Sequence, residues 1–102
     1  MFGSGTLTLD RVEDANSDEL VARFIKNGRL VTVPSKRSKL RPVLDHIAQE
    51  FEPGMTYPEN EVNEVLLRYN DDYAALRRYL VDEGFMTREA GVYWRSGGTV
   101  DT

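Results

Sequence analysis

Large apolar side chains recur at helical spacing in four places along the chain, and three shorter runs have the character of strands. Leu20, Val21, Phe24 and Ile25 form the first stripe. Ser17 is placed to cap that helix, and Asp18 and Glu19 fall in its first turn, where the helix dipole favours negative charge. Gly28 ends it, with Lys26 in the last turn. The clearest stripe is Leu40, Val43, Leu44, Ile47, Ala48 and Phe51. Pro42 belongs in a first turn, so this helix is predicted to begin near Ser38; Pro53 and Gly54 end it.

Thr56 and Glu59 fit a capping box, with Pro58 in the first turn of a third helix. Its stripe is Val62, Val65, Leu66 and Tyr69. The Asn70-Asp71-Asp72 cluster breaks that helix and can cap a fourth, striped by Tyr73, Leu76, Leu80 and Val81. Gly84 is placed as its C-terminal left-handed residue. Arg29 to Val33 alternates as a short strand stopped by Pro34. Phe85 to Arg88 and Val92 to Arg95 are β-prone, and Glu89-Ala90-Gly91 between them suits a hairpin loop.

This order predicts an α+β fold, a winged helix-turn-helix: a three-helix core and a C-terminal β-hairpin wing, preceded by an extra helix and a short strand. Residues 1–16 are expected as a flexible acidic segment, 17–96 as the domain and 97–102 as a flexible tail. Leu44, Ile47, Leu66, Leu76 and Leu80 are expected to share one core.

Length changes little in that picture, since 102 residues favour one domain with one modest core. Cysteine is absent, which excludes disulfides and thiolate metal sites. No apolar run is long enough to span a bilayer, and the N-terminus lacks the pattern of a signal peptide, so a cytoplasmic protein without a membrane partner is expected. The net charge of −4 argues at first against nucleic acid. Its distribution reverses that argument. Asp10, Glu13, Asp14, Asp18 and Glu19 crowd the first twenty residues against Arg11 alone. From Val21 to Arg95 there are 12 Lys and Arg against 11 Asp and Glu, so the folded unit is near neutral.

The residue types for catalysis are poorly arranged. His46 is the sole histidine and has only carboxylates as prospective metal partners. Glu59, Glu61 and Glu64 read as a solvated helix face rather than a catalytic pair in a cleft. The glycines near the termini lack the strand-to-helix setting of a phosphate loop, and no nucleophile motif is present. The expectation is a protein that is not an enzyme and takes no cofactor. Tyr69, Tyr73 and Phe85 fall on core faces, and Trp94 is suited to anchoring the hairpin. Tyr79 and Tyr93 are open to either a core role or stacking on a partner.

Function must therefore be sought on a surface. A helix-turn-helix lays its second helix in the major groove. Here that helix runs from Asp72 to Glu83, and inward-facing Tyr73, Leu76 and Leu80 leave Ala74, Ala75, Arg77 and Arg78 on or near its outer face. Alanines permit close approach, and arginine can read guanine or grip phosphate. Arg88 and Arg95 lie on the hairpin, and Lys36, Arg37, Lys39 and Arg41 form a basic cluster that could add phosphate contacts. Asp71, Asp72, Asp82 and Glu83 flank the candidate recognition helix and oppose DNA.

Several segments also carry a family pattern: Val33-Pro34-Ser35-Lys36-Arg37, then Leu44 and Phe51-Glu52-Pro53-Gly54, then Tyr57-Pro58-Glu59-Asn60-Glu61-Val62-Asn63. It continues through Asp72-Tyr73-Ala74-Ala75-Leu76-Arg77-Arg78-Tyr79-Leu80-Val81-Asp82 and Tyr93-Trp94-Arg95. Over roughly Arg23 to Arg95 the chain resembles a small bacterial domain-of-unknown-function family, found alone or fused behind helix-turn-helix domains of the arsenic-repressor type. The resemblance implies a transcription-linked bacterial domain and brings no catalytic or ligand residues. The combined expectation is a bacterial DNA-binding transcriptional regulator that contacts double-stranded DNA. The alternative is a non-catalytic interaction or dimerisation module, paired with a second copy or with a regulator.

Overall fold

The computed structural model describes residues 18–98. The expected Ser17 cap, the whole of the expected N-terminal segment 1–16 and the end of the tail lie outside the described residues. Among the described residues the fold is mixed α+β, with four helices and two antiparallel sheets.

Helix α1 covers residues 18–24. Strands β1 (Ile25–Lys26) and β2 (Arg29–Leu30) then pair as a minimal hairpin. Its turn is Asn27-Gly28, with φ of 54° and 79°. Two consecutive left-handed residues match the right-handed twist of a two-residue hairpin. Gly28 therefore turns a hairpin and does not simply stop a helix, and the expected strand over Arg29 to Val33 is reduced to two residues.

Helix α2 (Arg37–Ala48) buries Leu40, Val43, Leu44, Ile47 and Ala48, as its spacing demands. Its start is one residue earlier than expected, which places Pro42 in the second turn and not the first. Residues 56–58 are the main departure. Thr56 caps nothing; Thr56–Pro58 form strand β3, and Pro58 is the N-cap of α3 (Glu59–Leu67) without a side-chain capping bond. Asp72 caps α4 (Tyr73–Asp82) as expected, accepting from the Ala75 N–H at 3.3 Å. Gly84, at φ 85°, ends it in the left-handed region.

Strands β4 (Met86–Glu89) and β5 (Val92–Arg95) are joined through Ala90-Gly91, again with both φ positive. The sheet order is β3-β5-β4, so β5 is central. Tyr93 in β5 lies opposite Tyr57 of β3 and Arg88 of β4. Leu44, Ile47, Leu66, Leu76 and Leu80 share one core, each no more than 1% exposed. That core lies where α4 packs on α2 and α3. The chain stays packed past the hairpin: Ser96 and Gly97 both donate to the Phe85 carbonyl, and Gly97 lies so close to the Gly84 backbone that no Cβ would fit.

Candidate nucleic-acid interface

Four of the ten residues singled out in the sequence come together. Ala74, Arg77, Arg78 and Arg88 line one groove of about 330 Å³ between the outer side of α4 and the hairpin, with Val81, Asp82 and Tyr93 completing it. Helical spacing makes this possible: 74, 77, 78 and 81 fall on adjoining rows of one helix surface. Arg88 reaches the groove because its strand lies beside Tyr93 on the same sheet.

The three arginines are not equivalent. Arg78 is exposed, with its guanidinium 5.9 Å from the Tyr79 ring. Arg77 is held at the α3–α4 junction: it donates to the Asn63 side-chain oxygen and lies 4.0 Å from the Glu59 carboxylate, leaving its side chain 20% exposed. The expectation that Arg77 stands on an open outer face is corrected. Arg88 donates to the Tyr93 hydroxyl at 3.5 Å, and that hydroxyl donates to Glu59 at 3.2 Å. A polar chain thus runs Asn63, Arg77, Glu59, Tyr93, Arg88 beneath the groove. The sequence reading takes Glu59 for a solvated face, leaves Tyr93 open between a core role and stacking on a partner, and does not single out Asn63. Glu59 and Asn63 are four residues apart on α3, and that spacing put them on one helix face.

Arg95 does not join this surface. Its residue is 8% exposed, and it donates from Nε to the Gly97 carbonyl and from Nη1 to the Phe51 carbonyl, both at 3.1 Å. Arg95 pairs with Met86 as Arg88 pairs with Tyr93, so both arginines lie on one face of the sheet. Arg95 sits at the end of β5 away from the hairpin loop, where it satisfies the Phe51 and Gly97 carbonyls. Ala75 is half-buried and its N–H serves the Asp72 cap.

The basic cluster divides in two. Arg37 donates to the Glu83 carboxylate at 2.7 Å, and Arg41 donates to the same oxygen at 2.9 Å and to the Glu83 carbonyl at 3.0 Å. Arg41 also lies 4.8 Å over the Phe85 ring. Hydrogen bonds from Arg37 first, and then from Arg41, hold the Glu83 carboxyl below the usual glutamate range. This clamp neutralises an acid that would repel DNA, and it occupies two of the four bases. Lys36 is exposed and Lys39 half-buried; among the described residues neither makes an ion pair.

The family model for uncharacterized proteins conserved in bacteria, DUF2087, matches residues 29–95, well over half of the chain. The chain belongs to the DUF2087 family. No curated protein and no solved structure matches it. The matched stretch of the DUF2087 family begins at β2 and ends at Arg95, so it contains the whole groove. Other features add no chemistry. His46 is exposed and lies edge-on to Tyr69, with centroids 6.4 Å apart. Among the described residues no group of three or more His, Asp or Glu could hold a metal, and no helix is long and apolar enough to cross a membrane. A larger cavity between α1 and α2 carries Asp18 and Asp45 beside Arg41, which is already bound to Glu83.

Proposed function

We propose that the chain is a bacterial DNA-binding transcriptional regulator of the winged helix-turn-helix type, acting in the cytoplasm. On this reading α4 enters the major groove and the β4–β5 hairpin is the wing. The element order α2, β3, α3, α4, β4, β5 supports it, as does a sheet in which the strand between the first two core helices flanks the hairpin. The observation that carries the reading is the shared groove: the outer side of α4 and the hairpin present Arg77, Arg78 and Arg88 together, beside the small Ala74. A helix that places small residues next to arginines can approach base edges closely. Arg78 is the exposed arginine of α4 and is the residue offered to bases.

The test is a gel shift on random duplex at two salt concentrations. The reading expects a retarded complex whose affinity falls steeply with salt. Binding confined to millimolar protein at low salt would contradict it.

A second reading, a protein-interaction or dimerisation module, is favoured by one observation. Val31 is 56% exposed and Leu67 45%, and Arg29, two residues before Val31, donates to the Leu67 carbonyl at 2.8 Å. Large apolar side chains left in solvent suit a protein partner when they form a patch. Sedimentation equilibrium separates the readings: self-association lost in Leu67→Lys, without any retardation of DNA, would favour the module.

A further inference from the structure

We propose that the groove between α4 and the hairpin is a seat for one phosphodiester of the DNA backbone, held by Arg77 and Arg88, with Tyr93 as the residue that positions Arg88. This rests on the DNA-binding reading above and assigns the groove a task distinct from base reading.

The polar chain beneath the groove is the first argument. Tyr93 is 1% exposed, yet its hydroxyl is satisfied twice, donating to Glu59 at 3.2 Å and accepting from Arg88 at 3.5 Å. A buried hydroxyl is costly without partners, so its bonds fix the direction in which Arg88 leaves the sheet. Glu59 also faces Arg77 at 4.0 Å, and Asn63 takes a hydrogen bond from Arg77. Two guanidiniums, one from the helix and one from the hairpin, are thereby referenced to one carboxylate. In each, Nη1 is used inward, while Nε and Nη2 make no bond among the described residues. Those donors remain for an anion in the groove that both residues line.

Charge is the second argument. Arg77, Arg78 and Arg88 bring three positive charges, and Glu59 and Asp82 bring two negative ones, which leaves one positive charge. A phosphodiester carries one negative charge, whereas a free phosphate or phosphomonoester carries nearly two at neutral pH. The groove volume of about 330 Å³ is on the order of ten water volumes, enough for a diester with its flanking sugar. A strand crossing between recognition helix and wing would present its backbone there. Arg77, turned down toward α3, then grips phosphate, and Arg78 is left to read bases.

Fluorescence anisotropy on two labelled duplexes, one preferred and one random, over a series of salt concentrations, tests the seat. Arg88→Gln is exposed and should melt like the unmodified protein. Its binding should weaken on preferred and random duplexes alike, and the logarithmic salt slope should drop by about 0.9, the value of one lost contact. Arg88→Lys should restore much of the slope. Tyr93→Phe, checked by its melt, should lower affinity for both duplexes in the same direction by a smaller factor, because Arg88 loses its tether and not its charge. Inorganic phosphate should compete only as bulk salt does. An unchanged slope in Arg88→Gln, while the unmodified protein binds duplex well, would overturn the seat and leave the DNA reading standing. Saturable competition by sub-millimolar phosphate would also overturn it, in favour of a small phosphorylated ligand. Failure of the unmodified protein to bind duplex would instead overturn the DNA reading on which the seat rests.

Discussion

Arg41, in the first half of α2, donates to both the side chain and the backbone carbonyl of Glu83, the C-cap residue of α4, at 2.9 and 3.0 Å. The contact ties the end of the proposed recognition helix to the first helix of the core. Arg37 joins at 2.7 Å, so one carboxylate takes two guanidiniums.

This clamp makes stability depend on pH in a definite direction. The folded state holds the Glu83 carboxyl below its ordinary value. Its contribution is therefore present above the unfolded glutamate value of about 4.3 and is lost as pH falls through the lowered folded value. Glu83→Gln should melt at a lower temperature than the unmodified protein at pH 7, and the gap should narrow toward pH 3. Melting curves by circular dichroism at the two pH values check this. An equal gap at both would place the clamp's effect elsewhere than in the carboxylate.

Leu76 and Arg78 are two residues apart on α4 and should behave oppositely. Leu76 is fully buried, and Leu76→Ala should cost about 2–5 kcal/mol. Arg78→Ala is a surface change and should stay within about 0.5 kcal/mol. Arg77→Ala falls between them, at about 1 kcal/mol, because it deprives Asn63 of its donor. Urea unfolding of the three variants gives the order.

Arg95 provides the opposite control for the interface. Arg95→Met removes donors from the Phe51 and Gly97 carbonyls and should cost about 1–3 kcal/mol of stability. Its salt slope for DNA should be unchanged at a temperature where the variant remains folded. A slope lowered like that of Arg88→Gln would show that Arg95 reaches phosphate after all.

The helices were legible because each presents a long enough stripe. Leu44, Ile47, Leu66, Leu76 and Leu80 all reach the shared core that their spacing implies. Strand β3 was not legible: three residues ending in Pro58 carry no alternation, and their partners Val92, Tyr93 and Trp94 lie far along the chain. The β1–β2 hairpin was legible in principle, since Asn27-Gly28 is a strong turn signal, but the apolar Ile25 reads as a continuation of the helical stripe. Residue type and helix face grouped Ala74, Arg77 and Arg78 on α4, and the hairpin assignment supplied Arg88; the four line one groove. Sequence could not separate Arg77 from Arg78, because that difference depends on Asn63 and Glu59 across the α3–α4 junction. Arg95 was misplaced for a related reason: its burial follows from which strand edge faces the 51–54 loop, a tertiary fact.

The central claim is that α4 and the hairpin together recognise duplex DNA. The most direct measurement is selection of preferred duplexes from a random pool, followed by affinities for the selected and a scrambled duplex at physiological salt. The account predicts a selected site bound at least about a thousand-fold more tightly than the scrambled one. It further predicts that Arg78→Ala costs about 1–3 kcal/mol on that site and relaxes preference at one position. Equal, weak binding of both duplexes, unaffected by Arg78→Ala, would contradict the claim.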